Sequence, residues 1–323
     1  MKAIRYYRYG GPDVLELRDV DMPEVADDRV LVKVRAASVN PLDWHYMRGT
    51  PYFVRTGAGL SKPKANGLGA EMAGQVEAVG SNVTAFQPGD EVFGYCSGGL
   101  AEWVTVRQDA VVQTKPPNLT FEQAASVPVA AGTALQALRD KGRVEAGQRV
   151  LVNGAAGGVG TFAVQLARVF GADVTGVCST GNVDMVRSLG ADRVIDYTRE
   201  DFTGTGQRYD LMIDIAGTRT LREIRRILAP QGTLVVVGGP DKGRWLGPLT
   251  GVLKTLVVNP FVSQKMGFML AQPKKDDLAE LAKLLENGLV TPVIDRTYPL
   301  AEAAEAIRYL ETGHAKAKVV ITM

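Results

Sequence analysis

The sequence feature that most constrains the fold is a glycine-rich run between an apolar strand and an amphipathic helix. Residues 150–153 read VLVN, and residues 154–160 read GAAGGVG before a helical pattern begins. A sharp glycine turn at this point lets backbone amides approach a pyrophosphate, and the positive end of the helix dipole favours the negative charge. We therefore predict a dinucleotide-binding turn, with a purely structural turn as the alternative. The predicted cofactor contacts in this turn are Ala156, Gly157, Gly158 and Val159.

The chain after residue 120 begins with a helical stretch over 121–140 and then alternates between strands and helices. Continuous apolar runs such as TLVVV at 233–237 suit strands that are buried on both faces of a parallel sheet. The pattern predicts a doubly wound parallel sheet, with Gly217 and Gly238 at carboxyl strand ends, where open α/β sheets bind ligands. The six predicted strands cover 149–153, 173–179, 193–197, 210–216, 233–239 and 266–271.

The first third of the chain reads as β structure. Short, valine-rich runs such as RVLVKVRAA at 29–37 are separated by turn signals such as SNVTAFQPGD at 81–90. Frequent short strands without long intervening helices predict a barrel-like or sandwich-like β unit. The tail from Asp276 predicts a helix, a short strand, a second helix and a last strand at 317–323.

Composition argues against several classes of protein. The 323 residues include 37 Lys and Arg against 35 Asp and Glu, so there is neither a basic patch for nucleic acid nor a polybasic membrane signal. Two cysteines indicate a reducing compartment, and the N-terminus lacks the apolar core of a signal peptide, so we expect a cytoplasmic protein. The apolar segment 246–262 falls short of the ~20 residues that a membrane span needs. It suits a buried helix, a cleft lid or a subunit contact.

The end of the second strand in the alternating region bears on the choice of cofactor. NAD-binding sites place an acidic residue about 20 residues after the glycines, where it holds the ribose 2′-hydroxyl. Ser179 and Thr180 stand there instead, and their small hydroxyls can donate to a 2′-phosphate. We therefore expect NADPH rather than NADH, with a further contact from Tyr197 at the end of the third strand or from Arg187 on the following helix. A strand end that accepts either cofactor is the alternative.

The run GQRVLVNGAAGGVGTFAVQLAR at 147–168 resembles the signature of the quinone oxidoreductase and zeta-crystallin branch of the medium-chain dehydrogenase/reductase superfamily. Segments such as VRAASVNPLDW, LGAEMAGQVEAVG and GHAKAKVVITM fall in the family's order over essentially the whole chain. The resemblance implies an α/β fold with a GroES-like, β-rich catalytic domain plus a Rossmann doubly wound parallel sheet. It assigns residues 1–120 to the GroES-like domain, 121–271 to the NADP-binding domain and 272–323 to a return into the catalytic domain. It also implies an oligomer, and we expect a homodimer.

Zinc-dependent relatives bind a catalytic metal through a Cys in the segment matching 38–44 and a His in the segment matching 68–74. Asn40 and Ala70 occupy those positions here. Catalytic zinc needs three protein ligands, usually His and Cys, and this chain has two of each, in no ligand spacing. We therefore predict that no metal is bound. The four residues are His45, Cys96, Cys178 and His314.

The expected lack of zinc indicates the reaction. Without a Lewis acid, an unactivated ketone is a poor hydride acceptor, whereas a quinone or an α,β-unsaturated carbonyl spreads the incoming charge into an enolate. We therefore predict a zinc-independent, NADPH-dependent oxidoreductase acting on such a small molecule. A non-catalytic NADPH-binding protein and an NAD(P)-dependent alcohol dehydrogenase or carbonyl reductase are the alternatives.

The resemblance also implies individual cofactor-binding residues. Asn40 matches a position near the nicotinamide ribose or its carboxamide, and Thr133 matches one on the nicotinamide side. Phe268 and Met269 match a segment that relatives place against the carboxamide. Lys318 matches a lysine that relatives point toward the cofactor.

Two further residues belong to the predicted site. Asn182 stands where relatives frequently have a lysine, a departure that removes a positive charge from the predicted 2′-phosphate side. Tyr52, in the loop after Pro41, is the predicted catalytic residue, because a tyrosine can hydrogen-bond a carbonyl or deliver a proton. Water is the alternative proton donor.

Overall fold

The computed structural model describes residues 1–238 and 263–323. The apolar segment 246–262 therefore lies outside the described residues. No helix within the two described ranges is long and apolar enough to cross a membrane. The chain divides into two compact units. Unit 1 comprises Met1–Val129, Pro273–Gly288 and Pro292–Met323, and unit 2 comprises Ala130–Gln272 and Leu289–Thr291.

Strands and helices are numbered along the described chain. The strands are β1 (Lys2–Arg5), β2 (Glu16–Asp19), β3 (Arg29–Val39), β4 (Glu71–Val79), β5 (Glu91–Tyr95), β6 (Trp103–Arg107), β7 (Val112–Thr114), β8 (Arg149–Asn153), β9 (Asp173–Cys178), β10 (Arg193–Asp196), β11 (Tyr209–Asp214), β12 (Leu228–Val236), β13 (Lys265–Phe268), β14 (Ile294–Pro299) and β15 (Lys318–Thr322). The α-helices are α1 (Pro41–Arg48), α2 (Val54–Ala58), α3 (Phe121–Ala125), α4 (Pro128–Leu135), α5 (Gly158–Val169), α6 (Val183–Ser188), α7 (Leu221–Ile227), α8 (Lys275–Glu286) and α9 (Ala303–Glu311). A π-helical turn covers Gln136–Gly142, and 3-10 turns cover Pro12–Val14, Thr180–Asn182 and Leu300–Glu302.

Unit 1 is built around a seven-stranded sheet. Its strands follow the order β14-β15-β3-β4-β5-β7, and β6 pairs with β3. A valine-rich core on β3 to β7 fills one part of the unit. The strand β15 pairs in parallel with β14 and antiparallel with β3, so the last strand of the chain lies inside the sheet formed by the first third. The β unit predicted at the N-terminus is confirmed, and the tail completes it.

A second buried cluster in unit 1 joins the helices to the sheet. Met47 on α1 and Ile307 on α9 pack in this cluster with Ile4 on β1 and Ile321 on β15, and all four are almost fully buried. Each element contributes one apolar face, so the tail supplies part of the core as well as a strand.

Unit 2 contains a six-stranded, fully parallel sheet in the order β10-β9-β8-β11-β12-β13. Counted from β8, this is the order 3-2-1-4-5-6 of dinucleotide-binding folds. The direction of chain progression reverses between β8 and β11, so Asn153 and Asp214 end neighbouring strands at the switch point. The doubly wound parallel sheet predicted from the sequence is confirmed.

The segment after residue 120 differs from the prediction of a single helix over 121–140. It is broken into α3, α4 and a π-helical turn. Proline lacks an amide donor and is favoured in the first turn of a helix, so Pro128 starts a new helix instead of continuing α3. The helix α3 packs mainly against β3 and β4, and unit 1 extends to Val129, beyond the predicted boundary at residue 120.

Candidate cofactor site and candidate active site

The glycine turn after β8 permits a close approach to its backbone. Gly154 has a φ of +91°, in the region that favours glycine. A Cβ on Gly160 would lie 2.0 Å from the carbonyl oxygen of Gly154, so only glycine fits there. Gly157 is the N-cap of α5, and no side chain in the described residues caps this helix start. The first amides of α5 therefore remain available to an anion, in a position that the helix dipole favours.

The structure places the four predicted pyrophosphate contacts within this turn. Ala156 is largely buried beside the N-cap. Gly157 has room for a Cβ, whose closest contact would be 3.5 Å. Gly158 and Val159 are the first two residues of α5. All four thus lie at one helix N-terminus, as an anion site of this kind requires.

Two polar side chains at the switch point were not predicted from the sequence. Asn153 Nδ2 donates to Asp214 Oδ1 (2.8 Å), and the amide of Gly217 donates to the same oxygen (3.0 Å). Burial raises the pKa of Asp214 above its usual range. The backbone at Gly238 lies close to that of Ile215, because a Cβ on Gly238 would lie 2.7 Å from the carbonyl oxygen of Ile215. The signal was present in the sequence: Asn153 and Asp214 are polar residues that end otherwise apolar strands.

The predicted contacts for the 2′ end of the cofactor lie at the neighbouring ends of β9 and β10. Asn182 Nδ2 donates to Ser179 Oγ (3.0 Å), and Tyr197 is 54% exposed just after β10. Thr180 Oγ1 donates to Asp196 Oδ2 (2.6 Å). Asp196 was not predicted from the sequence, because an acid was expected only at the end of the second strand and this one ends the third.

The remaining predicted cofactor residues of unit 2 lie on α4 and at the end of β13. Thr133 is half-buried on α4, and Phe268 is half-buried as the last residue of β13. Met269 is buried, and its amide donates to the carbonyl oxygen of Val236 (2.9 Å). The backbone of this segment is therefore fixed against β12.

Unit 1 contains a buried polar network around Glu71. Glu71 Oε1 accepts hydrogen bonds from Asn40 Nδ2 (2.7 Å), from Lys318 Nζ (2.8 Å) and from the hydroxyl of Ser38. Glu71 Oε2 accepts a bond from the amide of Val129 (2.7 Å). Lys318 Nζ also donates to Asn40 Oδ1 (2.7 Å). Both polar ends of the Asn40 side chain are thus engaged, and the ammonium of Lys318 is paired inside the network.

Asn40 and Lys318 were expected to lie near the cofactor, and the structure shows that they bind each other and Glu71. The side chains of Lys318 and Glu71 are only 3% and 0% exposed. Ala317 precedes Lys318 with a φ of +47°, a conformation that favours glycine. Glu71 was not predicted from the sequence, although it joins two residues that were named separately.

Asp43 lies at the start of α1, beside this network. Asp43 Oδ2 accepts a hydrogen bond from the amide of Asn40 (2.7 Å) and so holds the N-cap of the helix. The pKa of Asp43 is raised to about 7, chiefly by burial and also by the charge of Glu71, while the amide hydrogen bonds and Lys318 oppose the shift. This carboxyl therefore retains its proton far above the pH at which an exposed aspartate loses it.

Tyr52, the predicted catalytic residue, lies in the short connection between α1 and α2. The guanidinium carbon of Arg55 is 4.8 Å from the centre of the Tyr52 ring and 4.4 Å from that of Tyr9. Arg55 Nε donates to the carbonyl oxygen of Gly49 (2.9 Å), and the hydroxyl of Tyr9 donates to that of Gly59 (2.5 Å). Cation–π contacts thus hold the Tyr52 ring in place. Its catalytic role stays a prediction.

Known proteins are similar to this chain over nearly its whole length. The alcohol dehydrogenase GroES-like domain matches residues 26–117, and the zinc-binding dehydrogenase family matches residues 189–321. A 2-methylene-furan-3-one reductase of Solanum lycopersicum is 36% identical, over 99% of this chain and 79% of its own. The chloroplastic NADPH-dependent alkenal/one oxidoreductase of Arabidopsis thaliana is 35% identical over the same shares. The chain belongs to the medium-chain dehydrogenase/reductase superfamily.

A solved structure supports this placement within the superfamily. The quinone oxidoreductase from Coxiella burnetii is 32% identical and superposes with a TM-score of 0.85, covering 100% of this chain and 99% of that one. The chain therefore lies in the quinone oxidoreductase-like branch of the medium-chain dehydrogenase/reductases, as predicted. The predicted fold, a GroES-like β-rich domain plus a Rossmann-type parallel sheet, is confirmed.

One of the two family descriptions names zinc, and the described residues show no set of ligands that fits it. In the part of the chain that the structure describes, no three His, Cys, Asp or Glu side chains form a group that could hold a metal ion. His45 Nδ1 lies 2.7 Å from the carbonyl oxygen of Thr50, and its ring lies 3.8 Å from that of Trp44. Asn40, at the position matched to a metal-binding Cys, is bound to Lys318 instead.

Proposed function

We propose that this chain is a zinc-independent, NADPH-dependent reductase that transfers hydride to a quinone or an α,β-unsaturated carbonyl. The observation that carries the proposal is the buried network of Asn40, Glu71 and Lys318, which places a lysine ammonium beside a position where zinc-dependent relatives have a metal ligand. The names of the two plant relatives describe conjugated acceptors, a methylene beside a ketone and alkenals or alkenones. Such an acceptor spreads the incoming charge over carbon and oxygen, so hydrogen-bond donors suffice to stabilise it.

NADP(H) is the cofactor and supplies the hydride. The amides at the start of α5, from Gly157 to Val159, fit its pyrophosphate, because no side chain among the described residues caps this helix start with a hydrogen bond. Ser179 Oγ accepts its hydrogen bond from Asn182, so its own proton can be donated at the 2′ position. These two groups would hold the two ends of the adenosine diphosphate part.

In unit 1, Tyr52 is the proposed proton donor. After hydride adds to the β-carbon of an enone, the carbon next to the carbonyl takes up a proton, whereas a reduced quinone takes its protons on oxygen. The phenol of Tyr52 can deliver this proton and regain one from water. Asn40 is the N-cap of α1, and Glu71 and Lys318 fix its side chain. The helix that leads to Tyr52 therefore starts from a rigid point, which favours a reproducible position of the phenol.

The test is cofactor oxidation with three kinds of acceptor. NADPH and NADH are each mixed with the protein and a quinone, an enone or a simple ketone, with and without a chelator. Turnover of quinone or enone that ignores the chelator supports the proposal. Chelator-sensitive reduction of the ketone refutes it in favour of a metal-dependent alcohol dehydrogenase or carbonyl reductase. Cofactor binding without turnover of any acceptor indicates the non-catalytic NADPH-binding protein.

Two further expectations stay predictions beside this proposal. A homodimer is expected from the resemblance, and a cytoplasmic location is expected from the composition. Light scattering of the purified protein measures the first, and fractionation of the source cells measures the second.

A further inference from the structure

A carboxylate lies close to the end of β9, the strand end at which the sequence has no acidic residue. Asp196 ends β10, and the register of the parallel pair sets it beside Cys178, the last residue of β9. Dinucleotide-binding sheets hold the cofactor ribose just beyond the end of the second strand, which is β9 here. The acid missing from that strand is thus supplied by its neighbour.

The hydrogen bonds of Asp196 determine where the Thr180 proton points. Thr180 Oγ1 lies 2.6 Å from Asp196 Oδ2, and a carboxylate cannot donate, so the hydroxyl of Thr180 must. The other carboxylate oxygen, Oδ1, accepts from the amide (3.0 Å) and the hydroxyl (2.7 Å) of Thr198. The hydroxyl oxygen of Thr180 also lies 2.9 Å from that of Thr198, whose own proton goes to Asp196. The proton of Thr180 is therefore directed to Asp196, and only the lone pairs of its oxygen face elsewhere.

An oxygen that can only accept treats the two cofactors differently. It can accept a hydrogen bond from the ribose 2′-hydroxyl of NADH, but it repels the oxygens of the 2′-phosphate of NADPH, which are themselves acceptors. The negative charge of Asp196 acts in the same direction. Thr180, which was expected from the sequence to donate to a phosphate, is thus turned into an acceptor.

We propose that Asp196 is a specificity-determining residue that limits the preference for NADPH over NADH by holding the hydroxyl of Thr180 as an acceptor. This inference rests on the proposed function, since it concerns the same cofactor. Groups that favour NADPH remain nearby: the proton of Ser179 and the guanidinium of Arg199, whose Nε lies 3.4 Å from Asp196 Oδ2. The protein is therefore expected to bind both cofactors, with NADPH favoured less than it would be without Asp196.

The decisive variant is Asp196→Asn. Because Oδ1 of residue 196 must keep accepting the amide of Thr198, the new amide nitrogen faces Thr180 and donates to it. The hydroxyl of Thr180 is then free to turn its proton toward a phosphate. Dissociation constants for NADPH and NADH, measured by cofactor fluorescence without any acceptor, are expected to shift about tenfold in favour of NADPH, the worth of one hydrogen bond to a charged group.

Two controls distinguish the effect of the Thr180 hydroxyl from that of the negative charge alone. Asp184→Asn removes the same charge from α6, where Asp184 pairs with Arg187, and it should leave the ratio of the two constants within about twofold. In a Thr180→Ala background, Asp196→Asn should lose most of its effect, because no hydroxyl remains to be turned. Thr180→Val alone removes the acceptor and should also shift the ratio toward NADPH, which provides a test should Asp196→Asn fail to fold.

The outcomes distinguish this inference from the proposed function. If the wild type binds NADPH but neither Asp196→Asn nor Thr180→Val changes the ratio, the inference is refuted and the proposed function stands. An equal shift in Asp184→Asn also overturns it, because long-range charge would then explain the result. If the wild type binds neither cofactor, the proposed function itself is refuted, and the role of Asp196 with it.

Discussion

Lys318 and Glu71 form a buried ion pair between residues 247 positions apart in the sequence. Removing one partner of such a pair leaves an unpaired charge in the interior, which typically costs about 3–5 kcal/mol. We expect Lys318→Met to lower the free energy of unfolding by that amount. Chemical denaturation of the variant measures the loss.

The double variant Lys318→Met/Glu71→Gln tests the reason for this loss. It removes both charges, and a neutral amide can still accept the amide of Val129 and bond to Asn40. We expect it to recover at least half of the lost stability. A double variant as unstable as the single one would show that packing of the lysine stem, rather than the unpaired charge, dominates.

The raised pKa of Asp43 predicts that the free energy of unfolding depends on pH. Its folded pKa of about 7 lies above the ordinary value of 3.8, so the folded state binds this proton more tightly than the unfolded state. The resulting stabilisation is fully present below about pH 4 and is lost as pH rises through about 7, at up to about 1.4 kcal/mol per pH unit. Asp43→Asn cannot titrate. Its free energy of unfolding relative to the wild type should therefore rise between pH 5 and pH 8, and a constant difference would contradict the assignment.

Tyr52→Phe tests the proposed proton donor. The variant keeps the ring beside Arg55 but loses the phenol proton. If Tyr52 delivers a proton to the product, kcat should fall about 100-fold or more, with little change in the dissociation constant of NADPH. Tyr7→Phe is a matched control, because Tyr7 is exposed and its loss should leave kcat unchanged. An unchanged kcat in Tyr52→Phe would assign the proton to water.

At the scale of elements, we expect two glycines in the turn between β8 and α5 to respond differently to substitution by alanine. One substitution should weaken cofactor binding, and the other should destabilise the fold. Gly157→Ala adds a methyl group whose closest contact is 3.5 Å, so the fold should tolerate it. The methyl would, however, obstruct the pyrophosphate at the helix start, and we expect the affinity for NADPH to fall about tenfold. Fluorescence titration and thermal unfolding measure the two effects separately.

Gly160→Ala, in contrast, should destabilise the fold. Its Cβ would lie 2.0 Å from the carbonyl oxygen of Gly154, which is backbone and cannot move aside cheaply. We expect a loss of stability of at least about 1–3 kcal/mol, as for overpacked sites. If Gly157→Ala proved the more unstable variant, the packing argument would be wrong. If it bound NADPH as tightly as the wild type, the anion role of this helix start would be wrong.

Local pattern was sufficient to predict the elements of unit 2. Each predicted strand is present, because a buried parallel strand must be continuously apolar and the glycine turn fixes where the first one ends. Details that depend on the tertiary structure were not predictable. The strand β12 begins at Leu228 instead of residue 233, and the helical stretch after residue 120 is divided at Pro128 and ends in a π-helical turn.

The candidate site was predictable only where its residues are neighbours in sequence. The turn at 154–160 is one such case. The partners of Asn40 and Thr180 were not predictable in this way. Strand pairing between distant segments brings Glu71, Lys318 and Asp196 to them. A motif shows which residue stands at a position, and it does not show which hydrogen-bond partner satisfies it.

At the scale of the whole molecule, unit 1 is assembled from the two ends of the chain. Its sheet places β15 between β14 and β3, and α9 supplies Ile307 to the core. A chain that ends at Thr291 keeps all of unit 2 but lacks these elements. We expect such a chain to lose the protection of β3 and β4 amides against hydrogen exchange, because β3 loses a strand and a core face at once.

The same experiment contains its own control within the molecule. The sheet of unit 2 draws no strand from the tail, so amides of β8 and β11 should stay protected in the chain that ends at Thr291. A chain that ends at Thr322 removes only the exposed Met323 and should keep both units protected. Protection of β3 in the shorter chain would mean that unit 1 folds without Pro292–Met323. In that case the tail would supply the Lys318 charge to a finished domain rather than complete its core.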